Sequence, residues 1–161
     1  MDSIIVFCAE YLILFVIAGI GLAWLQTTKN LKLQFIVASI LASVIAFVLS
    51  RIAAKLYYDP RPFVTQHVKP LIAHQTDNGF PSDHALLTGT LTAITYFFNK
   101  KVALGMLVLT IIVGIARILA KVHSPLDIAA SWAIGIIGAI AGYYLTLWLF
   151  KKCKPKAAES T

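Results

Sequence analysis

The sequence predicts an all-α integral membrane protein, a bundle of about five transmembrane helices with a short interfacial helix in the second connection. Three observations predict it. Hydrophobic residues make up 59% of the 161-residue chain, against roughly 45–50% in soluble domains. The mean hydropathy is +0.82. The apolar residues gather into five segments, about 4–25, 33–57, 84–98, 102–120 and 126–150. A span needs ~20 residues, so five spans with short loops leave no room for a second soluble domain. The expected division is a single transmembrane domain over 1–150 and a disordered, cytoplasmic Lys-rich tail over 151–161.

Taken in order, the first segment opens with Met1-Asp2-Ser3, which lacks the positive start of a cleaved signal peptide and is expected to stay. The third segment is short and must use polar flanks or local thinning of the bilayer. Lysines orient the set. Lys29 and Lys32 fall in the first connection, Lys100 and Lys101 in the third, and Lys151, Lys152, Lys154 and Lys156 follow the last segment. With five spans these share one side, which the positive-inside rule makes the cytoplasm. The net charge of +7 therefore reports topology, and no nucleic-acid partner is expected. Cys8 and Cys153 fall at different depths, which excludes a bridge between them, and no metal-type cysteine spacing exists.

The amino terminus and the connections about 58–83 and 117–125 are then outside, and both connections carry the remaining unusual charges. In the first of them, Pro60 and Pro62 end a helix and hold Arg61 extended. Val64, Val68, Leu71 and Ile72 recur at roughly helical spacing, which predicts an interfacial helix between Phe63 and His74. His67 and His74 are expected to be surface histidines, since nothing nearby completes a metal set. The connection closes on Gly79-Phe-Pro-Ser-Asp-His84. Pro81 and Ser82 are helix start signals, with Ser82 an N-cap. A helix N-terminus favours bound phosphate, and the Ser82 hydroxyl with a protonated His84 would add donors. An ordinary cap with an incidental histidine would give the same residues.

Arg117 to Asp127 sets two cations, a histidine and a carboxylate between apolar runs, where ionisable residues are costly and are functional candidates. His123 and Asp127 are four apart, so a helix starting near Pro125 puts them on one face. The carboxylate can take the Nδ1 proton and leave Nε2 as nucleophile or base. Arg117 supplies a planar fork suited to phosphate. The competing interpretation is a snorkelling Arg117 and Lys121 beside a structural His–Asp contact.

Two further charges, Glu10 and Arg51, lie within the first and second segments. Each is about six residues from the outer boundary, or roughly 9 Å deep at 1.5 Å per residue. Opposite charges at equal depth in consecutive antiparallel helices are expected to pair, and that pair would set the angle of the helix end carrying Lys55. A protonated Glu10 and an outward-snorkelling Arg51 are the alternative.

Together the three charged stretches resemble the type 2 phosphatidic acid phosphatase family of membrane lipid phosphatases. The family pattern is a lysine, six residues and Arg-Pro, then Pro-Ser-Gly-His, then Ser-Arg, five residues, His, three residues and Asp. Arg61-Pro62, Pro81-Ser82-Asp83-His84 and Arg117–His123–Asp127 match it in order. Lys55 precedes Arg61 by six positions where the family has one more, a rotation of ~100° on a helix. Asp83 replaces the family glycine, a form similar to the branch that dephosphorylates undecaprenyl diphosphate. Ala116 replaces a serine, and Lys121 stands where glycine is common. The family core usually has one more amino-terminal span.

The resemblance implies that His123 attacks phosphorus and forms a phosphohistidine, with Asp127 orienting its ring. His84 protonates the leaving oxygen and then activates water. Lys55, Arg61, Ser82, Arg117 and the N–H groups at 82–84 hold the phosphate oxygens. Asp83 either orients His84 or Arg117 or repels a second phosphate. Lys121, Arg51 and Glu10 are auxiliary candidates. No metal or cofactor is implied. The implied partner is a polyprenyl or other lipid phosphate in the cell membrane, with undecaprenyl diphosphate first. Phosphatidylglycerol phosphate, phosphatidate and a lipid A phosphate follow. A non-catalytic headgroup-binding or transport protein is the alternative from another class.

Overall fold

The computed structural model describes residues 1–152, so Cys153 and the rest of the Lys-rich tail, with the expectations attached to them, lie outside the described residues. The first apolar segment is α1 (Asp2–Glu10) and α2 (Leu12–Gln26). The Tyr11 amide still bonds the Phe7 carbonyl at 2.9 Å, so the pair runs on as one span. The second segment is α3 (Lys29–Leu56), followed by a single turn, α4 (Pro62–Thr65). Then come α5 (Asp83–Tyr96), α6 (Lys100–Leu119) and α7 (Pro125–Lys152). Four stretches, α1 with α2, α3, α6 and α7, are long and apolar enough to cross a membrane. The fifth, α5, has 14 residues, or about 21 Å against a hydrocarbon core of ~30 Å. Among the described residues the only β-type pairing is the isolated bridge Pro60–Asn78.

The shortness of α5 is compensated by its place at the centre, packed on α2, α3, α6 and α7. Four of its buried residues are threonines. Thr88, Thr90 and Thr95 return their hydroxyls to the carbonyls of His84, Leu86 and Leu91, and Thr92 bonds Thr110 of α6 at 2.8 Å. Each polar group is thus satisfied without water, as a membrane interior demands.

Small residues set the packing of α3 on α7. Ala38, Ala42 and Ala46 recur every fourth residue along α3, and Ala42 and Ala46 face Gly138 and Gly142 of α7. A Cβ on Gly142 would stand 2.5 Å from the Ala42 amide nitrogen, and one on Gly138 would stand 2.7 Å from the Ala46 Cβ. Small faces of this kind let helix backbones approach closely in lipid.

That packing overturns one expectation. α3 lies on α7 and α5, whereas α1 lies on α6 and α2. Near the first connection α2 and α3 still share a groove between Trp24 and Phe35, but they splay apart towards the other end with α5 between them. Glu10 and Arg51 therefore do not pair. Arg51 is bonded to Asp83, and Glu10 lies near enough to Arg117 to act on its charge. Equal depth along two helices does not make them neighbours.

The connection 57–82 holds only the one turn α4 where a helix between Phe63 and His74 was expected. The turn stops because His67 adopts a left-handed backbone, φ 52°, which breaks the ladder. The segment is tied instead to the far end of α6, Phe63 N–H to Lys121 O at 3.0 Å and Leu71 N–H to Ala120 O at 3.2 Å. At that end Lys121 (φ 64°) closes a Schellman motif. Its N–H bonds the Ile118 carbonyl, and the Val122 N–H bonds the Arg117 carbonyl. The left-handed position explains why glycine suits this site. These bonds join the two connections expected to lie outside.

Candidate active site

Three helix ends meet at this junction. α6 ends just beyond Arg117, α7 begins at Pro125, and α5 begins at Asp83 after the cis peptide Phe80–Pro81. Between them lies a cavity of about 380 Å³ lined by Arg51, Arg61, His74, Asp83, His84, Arg117 and His123.

His123 is buried, and its ring is fixed at both nitrogens. Nδ1 lies 2.9 Å from the Gly79 carbonyl and 3.3 Å from Asp127 Oδ2. Nε2 lies 3.5 Å from Arg61 Nη1 and 3.4 Å from Arg117 Nη2. A guanidinium only donates, so Nε2 accepts and the proton sits on Nδ1. The Nε2 lone pair thus points at two cations. Burial, followed by the charges of Arg117 and Arg61, holds the imidazole pKa below its usual 6.5 against the opposing Asp127 bond, which keeps the ring neutral. Gly79 allows this contact because a Cβ there would stand 3.2 Å from Asp127 Oδ2 and 3.1 Å from the Asp59 carbonyl.

Asp127 is held by the start of α7. Ser124 N–H donates to Asp127 Oδ2 at 2.8 Å, and Asp127 N–H donates to Ser124 Oγ at 3.1 Å, a reciprocal cap. The Ser124 hydroxyl donates onward to Asp59 Oδ2 at 2.8 Å. One turn later the Ser131 hydroxyl donates to the Asp127 carbonyl and accepts from Ser82 N–H at 2.8 Å, tying α7 to the head of α5.

Arg61 is 5% exposed. Nε donates to Asp77 Oδ1 at 2.7 Å and Nη1 to the Val122 carbonyl at 2.9 Å. The bond from Nε holds the Asp77 carboxyl below the ordinary aspartate range. Neighbouring Asn78 clamps the loop: its amide donates to the Ala54 and Tyr57 carbonyls at the end of α3, and its oxygen accepts from the Asp59 and Phe80 amides. Arg117 also approaches His74 Nε2, at 3.4 Å. Arg117 Nε and the Ser82 hydroxyl are buried without a partner. Ser82 caps α5 by position only, its hydroxyl making no cap bond. Unpaired donors beside the free amides of a helix start suit an anionic oxygen.

Of the residues singled out in the sequence, Arg61, Asp83, His84, Arg117 and His123 line the one cavity, with Ser82 and Asp127 directly behind it. Lys55 is exposed and lies outside the lining, where Ala54 stands instead. Lys121 is exposed on an adjoining cavity, on another side of His123. Arg51 lines the cavity bonded to Asp83, and Glu10 is outside the lining. His67 is exposed and away from the site, whereas exposed His74 lines it. Among the described residues no cluster could hold a metal ion. The Gly79 carbonyl, Asp77, Asn78, Asp59, Ser124 and Ser131 were missed in the sequence. Only the Ser124-Pro-Leu-Asp127 spacing carried a readable signal, that of a capping box.

Residues 31–151 match the PAP2 superfamily. The chain belongs to that superfamily. It is 39% identical to the bacitracin transport permease protein BcrC of Bacillus licheniformis over 142 residues, 87% of this chain and 69% of that one. It is 30% identical to the undecaprenyl-diphosphatase BcrC of Bacillus subtilis (strain 168) over 137 residues, 85% and 70% of the two chains. The crystal structure of Aquifex aeolicus LpxE has the same fold, with a TM-score of 0.64 at 19% identity over 88% of this chain and 93% of that one. This PAP2 protein is a multi-pass membrane lipid phosphatase.

Proposed function

We propose that the chain hydrolyses undecaprenyl diphosphate to undecaprenyl phosphate at the outer face of the cell membrane, through a phosphohistidine at His123. The observation that carries this is the setting of His123: Nε2 faces two guanidinium groups while Nδ1 is held by Gly79 and Asp127. The Nε2 lone pair forms a bond to the terminal phosphorus as the bond to the bridging oxygen breaks. Burial and then the charge of Arg117 lower the His84 pKa to about 4; the charge of a bound phosphate favours the imidazolium, which gives its proton to that oxygen. His84 then takes a proton from water, whose oxygen attacks phosphorus and returns the electron pair of the P–N bond to Nε2. Arg61, Arg117, the Ser82 hydroxyl and the amides at the start of α5 take up the equatorial charge. These cations do what Mg²⁺ does in kinases, so turnover is expected to be independent of added metal.

Asp83 in the Pro-Ser-Asp-His stretch and the relative named undecaprenyl-diphosphatase support this choice of substrate. The outer-face assignment rests on the lysines of the first and third connections and on Lys151 and Lys152. A transport role is the second reading, favoured by the name of the 39% identical relative. Phosphate release from polyprenyl diphosphate by the detergent-solubilised protein, with EDTA present, separates the two. Release supports hydrolysis, and its absence with intact lipid binding favours the second reading.

A further inference from the structure

Arg51 stands apart from the two arginines at the nucleophile. Arg61 and Arg117 approach His123 Nε2, whereas Arg51 Nη2 bonds Asp83 Oδ1 and its Nε lies 3.4 Å from Ser50 Oγ. All three line the same cavity. Asp83 opens α5 and immediately precedes His84, so Arg51 is bonded one residue from His84 on the same cavity. The next turn of α3 brings Ala54 to the lining, and its methyl leaves room there while Lys55 points away. The Arg51–Asp83 pair is left uncovered by protein, with side-chain exposures of 45% and 71%. Both residues line the cavity, so a doubly charged phosphate bound there competes with the single charge of Asp83 for Arg51.

Phosphoryl transfer is in line, with attacking and leaving atoms on opposite sides of phosphorus. If Nε2 of His123 attacks, the leaving group departs towards His84 and whatever follows it meets Arg51. In a monoester that group is an uncharged alkyl chain. In a diphosphate it is a second phosphate, with a charge of about −1.5 to −2. We propose that Arg51 binds the leaving phosphate of a diphosphate substrate, exchanging Asp83 for it, and so selects diphosphate over monophosphate lipids. This rests on the reading of the chain as a lipid diphosphate phosphatase. As the P–N bond forms and the bond to the bridging oxygen breaks, the electron pair leaves on that oxygen, which takes the His84 proton, and Arg51 offsets the charge that remains on the departing lipid phosphate.

The test compares the full chain with Arg51→Met and Arg51→Lys in detergent. It measures kcat/KM on polyprenyl diphosphate and polyprenyl monophosphate, and inhibition by inorganic diphosphate and orthophosphate. Arg51→Met is expected to lower kcat/KM on the diphosphate lipid about 100-fold, the usual effect of losing one transition-state donor. The loss on the monophosphate should be at least roughly ten times smaller, and the Ki for inorganic diphosphate should rise about tenfold more than that for orthophosphate. Arg51→Lys, which keeps the charge, should recover much of the selectivity and of the diphosphate inhibition. Equal losses on both lipids with equal changes in both Ki values would make Arg51 a structural residue and overturn the proposal. If Arg51→Met does not fold, Arg51→Gln takes its place, and equal changes in its two Ki values also overturn the proposal. A wild-type chain that cleaves only the monophosphate would instead sink the substrate reading itself.

Discussion

Ser124 and Asp127 hold each other across the first turn of α7, each donating its backbone N–H to the other's side chain, at 2.8 and 3.1 Å. The carboxylate that faces His123 Nδ1 is thereby fixed by the chain that carries both residues. Asp127→Asn can present an N–H to Nδ1 and favour the wrong tautomer. A loss of kcat of about 10⁴-fold is expected, by analogy with the same change in a catalytic triad. Ser124→Ala should lower stability by about 1 kcal/mol as a lost cap and reduce kcat much less. Steady-state kinetics and thermal melts of both variants check this. An Asp127→Asn enzyme within about tenfold of wild type would mean that Gly79 alone orients the ring.

Lys55 separates the resemblance from the geometry. Its side chain is exposed and outside the cavity. Lys55→Met is expected to change kcat/KM by less than about threefold, as exposed charges away from a site usually do. A loss of about 100-fold, typical of a lost phosphate ligand, would put the lysine in the site.

Gly142 tests the packing that separates Glu10 from Arg51. A Cβ there meets the Ala42 backbone, which cannot rotate away. Gly142→Leu should therefore cost at least about 1–3 kcal/mol by overpacking. Gly105, whose Cβ would meet nothing within 4 Å, is the matched control, and Gly105→Leu should melt near wild type. Equal melting of the two variants would contradict the close α3–α7 approach.

pH dependence follows from His123 and His74. The free-histidine value is 6.5; loss of water around the ring chiefly lowers both, with Arg61 and Arg117 acting in the same direction. For the otherwise exposed His74 that loss is on its cavity side, and the value falls to about 4. Both folded-state values lie below the unfolded one, so their stabilisation is complete above 6.5 and is lost as pH falls, for His74 down through about 4. The acid limb of kcat/KM, which reports loss of the neutral nucleophile, should lie below 6.5. His74→Gln should flatten the fall in thermal midpoint over that range. An acid limb above 6.5 would mean that the ring is stabilised as a cation.

The bundle was legible because apolar runs of span length seldom occur outside membrane helices. The meeting of the two charged connections was legible because lysines mark the opposite side. Arg61, His84, Arg117, His123 and Asp127, which the charged stretches and the family resemblance marked, line the cavity or stand directly behind it. The Gly79 carbonyl was not marked, because a backbone acceptor has no signature in sequence. Asp77 and Asn78 resemble any polar turn until Arg61 and the end of α3 are seen to depend on them. The Glu10–Arg51 expectation failed for a different reason. Depth can be counted along a chain, but which helices touch is set by the alanine face of α3 and the glycines of α7.

The most direct test is to quench the protein during turnover of polyprenyl diphosphate labelled in its terminal phosphate and to locate the label by peptide mass spectrometry. The expected result is an acid-labile, base-stable phosphoryl group on His123, absent from His123→Ala, which should also lose nearly all activity, as nucleophile variants do. Label on another residue, or a His123→Ala enzyme keeping more than about one percent of wild-type turnover, would contradict nucleophilic attack by His123.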